Sequence, residues 1–314
     1  MQAYIIRRVI FLVPVLFAVS IAVFVALRFM PGDITVILLG REATPEQVAE
    51  LRADLGLDDP IPIQYVNWMG DLLRGDLGKS QILGNSVADE IAARLPITVE
   101  ILVLTILTTA VVGVTLGVIS AVFQNSPLDY LVRVTSIFGL SVPGWWVGIM
   151  ILLLPAIWWS YSPPLGHVPV QQDLWDNLRQ FVPPALVLAA ASSAVVMRLT
   201  RAVLLDVLRQ DYIRTARSKG LQERVVIARH AVKNAMIPVI TVLGGQITVL
   251  FGGAVIIEQV FGLEGLGRYM FTSISARDFP VVQVLTLYTA AVVVSMNLLV
   301  DISYAWLDPR VHYR

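Results

Sequence analysis

The run VIFLVPVLFAVSIAVFVALRFM fills residues 9–30, directly behind a basic pair, Arg7 and Arg8. A cleaved export signal has an apolar core of about 7–15 residues and then a small-x-small cleavage site. This run has 22 residues, and no such site follows it. A helix needs about 20 mostly apolar residues to cross the hydrocarbon core of a bilayer. The run is therefore expected to be a retained membrane-spanning helix.

Five more stretches meet the same length criterion, at 97–123, 131–159, 181–200, 235–257 and 281–306. Composition agrees. Of the 314 residues, 56% are hydrophobic and 15% charged, with a mean hydropathy of +0.74. Soluble domains have about 45–50% and about 25%. The third stretch is interrupted by Pro143, Gly144 and Pro155, and the fourth opens on Pro183 and Pro184, residues suited to a helix start. The expected fold class is an all-α polytopic membrane protein with six transmembrane helices. A zero net charge offers no case for nucleic-acid binding, and the absence of cysteine excludes disulfides, thiolate metal sites and cysteine nucleophiles.

Charge placement sets the sidedness. Residues 31–95 hold eleven acidic and five basic residues, whereas 198–233 hold nine basic and three acidic. Lys and Arg accumulate in cytoplasmic loops. The second segment is expected inside and the first outside, with both termini cytoplasmic in the cell membrane. Residues 1–30 then form the N-terminal tip and first span, 31–95 an extracytoplasmic helical subdomain, and 96–314 the core, including a cytoplasmic loop at 201–234.

The outer segment carries its own helix signals. Thr44, Pro45 and Gln47 make a capping-box pattern, and Gly56 can end that helix. Tyr65, Trp68, Met69 and Leu72 fall on one helical face. Ser86 with Asp89 is expected to cap a third, short helix. Two roles remain open for this subdomain: a lid on the span ends, or a docking surface for an external partner.

Inspection weighs against several energy sources and chemistries. Ion-driven carriers hold ionisable groups near mid-membrane. Here Arg28, Glu100, Arg133, Glu258 and Asp301 all lie toward span ends, and His167, His230 and His312 lie in loops or the tail. The R-G-D-L-G-K-S stretch (74–80) ends like a phosphate loop, but the position of its first glycine is Leu73. It is expected to be a turn-rich surface segment. No H-E-x-x-H, G-x-S-x-G or paired intramembrane aspartate occurs.

The densest basic stretch, DYIRTARSKGLQERVVIARHAVKN (211–234), separates the fourth and fifth spans. Ile213, Ala216 and Gly220 or Leu221 recur at helical spacing, ringed by Arg214, Arg217 and Lys219, and Gly220 suits a break between two short helices. The residues allow two readings: an amphipathic segment on anionic membrane lipids, or a helix that enters a groove on a soluble partner. Polar and aromatic positions within the spans are also open. Trp145 and Trp146 follow the Ser141-Val142-Pro143-Gly144 break, and Gln246, Thr248 and Asn297 are intramembrane. They line a pathway or serve packing and interhelical hydrogen bonds.

The loop resembles the cytoplasmic loop of ABC importer permeases, the membrane subunits of binding-protein-dependent uptake systems. Ala216 and Gly220 match the general form of that motif, while Arg214, His230 and Lys233 depart from it. Y-I-R-T-A-R-S-K-G-L and R-H-A-V-K-N-A-M-I-P are similar to the version in the peptide branch. The resemblance extends over F-M-P-G-D (29–33), L-G-L-D-D-P-I-P-I-Q-Y (55–65), R-G-D-L-G-K-S (74–80), R-L-P-I-T-V-E (94–100), F-G-L-E-G-L-G (261–267) and D-P-R (308–310). Together these resemble the "B" permease of dipeptide/oligopeptide importers. The resemblance implies a homologous second permease, two ATPase subunits that bind ATP and Mg, an external substrate-binding protein, and no cofactor or metal on this chain. It implies that Tyr212, Ile213, Arg214, Thr215, Ala216, Arg217, Lys219, Gly220 and Leu221 couple the chain to an ATPase. Related importers also carry glutathione, nickel chelates or oligosaccharides. An ion-coupled carrier acting alone is the competing reading.

Overall fold

The computed structural model describes residues 2–29, 34–40, 43–162 and 167–307. The F-M-P-G-D stretch beyond Phe29, His312 and the D-P-R motif lie outside them. In chain order the helices are α1 (Gln2–Arg28), α2 (Ile34–Leu39), α3 (Pro45–Asp54), α4 (Ile61–Leu73), α5 (Val87–Val122), α6 (Pro127–Ser141) and α7 (Gly144–Trp159). There follow α8 (Leu174–Leu208), α9 (Asp211–Ser218), the single turn α10 (Glu223–Val225), a π-helical turn over Val226–Val232, α11 (Lys233–Phe261), α12 (Leu266–Ala276) and α13 (Phe279–Leu307). No strand occurs among the described residues, in keeping with the all-α class expected from the apolar runs.

Among the described residues, five helical stretches are long and apolar enough to cross a membrane, and six if the bent pair α6–α7 counts as one span. The expected third span is therefore two helices at 96° to each other rather than one kinked rod. Pro143 lacks an N–H to continue α6, and Val142 takes an extended conformation ahead of it. The fourth span differs too. Its helix starts at Leu174, nine residues before the proline pair, because the Asp173 carboxylate accepts from the N–H groups of Trp175 and Asp176 at 2.8 and 3.0 Å. Pro183 and Pro184 are interior.

The chain divides into two compact units. One joins Ile97–Gly267 to the chain from Ser295 on, and α8 is its centre. In α8, 61% of the apolar window is buried, against 17–33% in the other spans. It packs against α6, α7 and α11. Against α5 the approach is close: a Cβ on Gly113 would meet Val196 at 2.8 Å, and one on Gly117 would meet Thr200 at 2.5 Å. Small residues four apart let two helix backbones come together in lipid, where packing drives association.

The other unit joins Gln2–Pro96 to Arg268–Val294. The capping box forms as expected, with Gln47 N donating to Thr44 Oγ1 and Thr44 N to Gln47 Oε1, and Gly56 follows α3 at φ +63°. On α4, Tyr65 and Trp68 pack on Phe24 of α1, which is 1% exposed; the Tyr65 hydroxyl meets Ser20 Oγ at 2.8 Å. Ser86 does accept from Asp89 N, yet the helix it begins is no short one: α5 runs on through Pro96 for 36 residues. Ala92, whose carbonyl the proline leaves without its helical donor, and Ala93 are exposed.

Candidate coupling site and pathway

Between α8 and α11 the chain turns twice in about a dozen residues. Arg209 and Gln210 close α8, and Asp211 begins α9 with an acid in its first turn. Lys219 ends α9, and Gly220 follows at φ +75° with open space around it. A glycine takes this left-handed turn without the strain a side chain would bring.

α9 has one apolar stripe, and that stripe is already occupied. Ile213 is 0% exposed and Ala216 7%, in a cluster with Ala121 of α5, Leu204 of α8, Val226 and Ala231 of the π turn, and Ala235 of α11. Truncating a buried isoleucine to alanine costs about 2–5 kcal/mol. Ile213 and Ala216 thus fasten α9 to the ends of three spans and are not outward anchors. Two polar ties complete the fastening. Arg217 donates twice to Glu223, at 2.6 and 3.1 Å, and Asn234 Nδ2 donates to the Tyr212 hydroxyl at 3.2 Å while also reaching the His230 carbonyl at 2.7 Å. The pair with Glu223 raises the Arg217 pKa further, so the guanidinium stays charged. Exposed ion pairs contribute about 1 kcal/mol or less, so this one chiefly positions the helix end.

The outward face is mostly polar, with Tyr212 and Leu221 its apolar members. Tyr212, Arg214, Thr215, Ser218, Lys219 and Leu221 are all exposed, and Arg214 lies 3.6 Å from Asp211. Chemically, the site is a short cationic ridge fixed rigidly to α5, α8 and α11. The π turn beside it leaves a local irregularity of a kind often found at functional sites.

One neighbouring feature escaped the sequence reading. Asp129, 0% exposed at the start of α6, is held bidentately by Arg201 of α8 at 3.0 and 2.9 Å. It also accepts from the Ser120 hydroxyl and from Asn125 N at 3.0 Å. The signal was S-P-L-D (126–129): Ser126 caps α6, Pro127 is its first residue, and Asp129 N bonds back to Ser126 Oγ. What no pattern revealed was the partner 72 residues away.

The quoted motifs prove to be structural joints. Thr98 donates to Glu258 Oε1 at 2.7 Å and accepts from Leu266 N at 2.8 Å, so R-L-P-I-T-V-E meets F-G-L-E-G-L-G. A Cβ on Gly265 would come within 2.4 Å of the buried Glu258 carboxylate, and one on Gly267 within 2.5 Å of Val255 Cα. Glu100 accepts from Asn177 at 2.6 Å. R-G-D-L-G-K-S is turn-rich, with Gly75 and Gly78 at positive φ, but its Ser80 is buried at 3% and donates to Asp278.

The pathway candidates lie apart from this ridge. Trp145 and Trp146 open α7 just past the 96° break and are 48% and 47% exposed. Gln246 of α11 lies 3.4 Å from Ser192 of α8, and Thr248 lies 3.5 Å from Asn297 of α13. Both polar pairs bridge helices.

Comparison with known proteins agrees with this architecture. Residues 113–313 match the family described as binding-protein-dependent transport system inner membrane component, and residues 1–102 match its N-terminal counterpart. The chain is 41% identical over 313 residues to a permease-type protein of Brucella suis biovar 1. It is 36% identical over 316 residues to the oligopeptide transport system permease protein AppB of Bacillus subtilis. A third relative is the glutathione transport system permease protein GsiC of Pectobacterium atrosepticum, 37% identical over 315 residues. Each match covers 100% of both chains. Among solved structures, the inward-facing MetNI methionine ABC transporter shares the fold, with a TM-score of 0.53 at 13% identity, over 69% of this chain and 96% of that one. A multi-pass inner-membrane permease is the class these observations define. The chain belongs to the binding-protein-dependent inner-membrane components, the permease subunits of ABC importers.

Proposed function

We propose that this permease forms, with a homologous second permease, the pathway for di- or oligopeptides delivered by an external binding protein. Two partner ATPases bind and hydrolyse Mg-ATP beneath it. α9 with Gly220 and Leu221 is the docking element. The acidic segment 31–95 is an extracytoplasmic subdomain, the core is 96–314 with its loop 201–234 inside, and both termini are cytoplasmic. Trp145, Trp146, Gln246 and Asn297 face the pathway in the assembled transporter.

One observation carries the coupling role: α9 buries Ile213 and Ala216 within its own chain while leaving its cationic face bare. A push on that face passes to α5, α8 and α11 with little slack. Such a switch works only if the ATPase binds one state of the permease better than the other. The names of the Bacillus relative and of a dipeptide permease from Alkalihalophilus pseudofirmus support a peptide cargo. The glutathione permease supports a second reading in which the cargo is that modified tripeptide.

Co-reconstitution tests the proposal. Liposomes holding both permeases, the ATPases and the binding protein should accumulate a labelled peptide with ATP and not without it. Accumulation by this chain alone, driven by an ion gradient, would overturn the proposal in favour of a lone carrier. Saturable uptake of glutathione and no other peptide would select the second reading.

A further inference from the structure

α9 rests on Ala121 of α5, Leu204 of α8 and Ala235 of α11, and no α6 residue belongs to that cluster among the described ones. α6 is nonetheless the first half of the bent pair that leads to the 96° break and to Trp145 and Trp146. A push on α9 needs a path to that pair of helices.

The Asp129 carboxylate supplies one. It lies in the first turn of α6, 0% exposed, and meets two of the helices on which α9 rests. Ser120 of α5, whose hydroxyl donates to it, directly precedes Ala121. Arg201 of α8 donates to both of its oxygens, at 3.0 and 2.9 Å. Arg201 is three residues before Leu204 and so neighbours it on the helix surface. Asn125 N, from the turn between α5 and α6, donates as well, at 3.0 Å.

Holding α6 in place does not require this pair. α6 also packs on α8, and toward its far end a Cβ on Gly139 would lie 3.4 Å from the Ala190 carbonyl. A buried ion pair is a poor source of stability compared with apolar side chains of like volume, and its best-attested use is to fix register. A guanidinium fork on both carboxylate oxygens fixes direction as well as distance.

We infer, resting on the coupling role proposed for α9, that Asp129 and Arg201 are positioning residues of the transport cycle. Their pairing keys the start of α6 to the ends of α5 and α8 that carry α9, so that α6 travels with α9 as one body and takes the break before α7 with it.

The complete transporter in liposomes tests this, with both permeases, the ATPases and the binding protein present. This chain has no cysteine, so Val134→Cys on α6 and Ile237→Cys on α11, 61% and 39% exposed, can carry a pair of spin labels. In the otherwise wild-type chain their separation should be the same in the ATP-free and the vanadate-trapped states. In Asp129→Asn it should broaden and change with nucleotide. Peptide carried per ATP hydrolysed should fall roughly threefold in that variant, a size usual for residues between coupled sites. Arg201→Lys is the sharper variant. It keeps a positive charge beside Asp129 but lacks the fork, so it should hold thermal stability close to wild type and still lose stoichiometry. Wild-type stoichiometry in either variant, or a label separation that changes with nucleotide in the wild-type background, overturns the proposal. So does a loss of folded protein with unchanged stoichiometry in what remains, the mark of a purely structural pair. Absence of ATP-driven uptake in wild type would instead refute the coupling role of α9, and the positioning role with it.

Discussion

Gly220 gives the coupling loop its sharpest single-residue test. A side chain in the left-handed region costs about 1–2 kcal/mol, and a Cβ there meets nothing within 4 Å. Gly220→Val should therefore insert and assemble with near-normal yield while transporting fewer molecules per ATP hydrolysed. Gly220→Asn, which tolerates the same φ, should recover most of the stoichiometry; uptake and hydrolysis measured on the same liposomes separate the two. Arg201 makes the opposite case. Arg201→Leu would strand a fully buried Asp129, and removing one partner of a buried pair costs about 3–5 kcal/mol. The variant should lose thermal stability in detergent, and Asp129→Asn added to it should restore part of the loss. The Arg201 to Asp129 contact shows where residue-level reading stops: each residue type was visible, and the bidentate pairing was not, because nothing local links positions 72 apart.

Among the elements, the joint between α5 and α8 is tight. Gly117→Leu should force the two helices apart, since even a Cβ would lie 2.5 Å from Thr200 and 2.8 Å from the Met197 carbonyl. Gly252→Ala in α11, where a Cβ meets nothing within 4 Å, is the matched control. Yield of monodisperse protein after size-exclusion chromatography should fall sharply for the first and hold for the second. Elements set by local rules were legible in advance: the capping box at Thr44 and Gln47, the α4 face of Tyr65 and Trp68, and the apolar runs. Elements set by what surrounds a proline were not. Pro96 sits inside α5, one turn after the exposed Ala92. Pro183 and Pro184 read as a start, yet Asp173 had already capped the helix upstream. At Pro143 the break was visible and its 96° angle was not, since packing of α6 and α7 on α8 decides it.

For the whole molecule, sidedness is the property most open to test. The chain has no cysteine, so single cysteines report without background. Asn67 and Lys219 are both exposed. In intact cells, Asn67→Cys should react with a membrane-impermeant maleimide, and Lys219→Cys should react only after the membrane is opened. The reverse pattern would invert the charge argument from 31–95 and 198–233. Candidate coupling residues were readable as one contiguous loop with an apolar stripe and a cationic ring; that the stripe packs within this chain was not, because it depends on α5, α8 and α11 converging beneath α9.

That division bears on how such an importer would come apart. With Ile213 and Ala216 facing home, a docked ATPase, as proposed, would meet mainly Arg214, Lys219 and their hydrogen-bonding companions, beside the exposed Tyr212 and Leu221. Electrostatic joints of this kind loosen as counter-ions shorten the screening length, to about 3 Å at 1 M salt. Ionic strength would then act as a clutch, freeing the motor from the channel while mild detergents leave the two engaged.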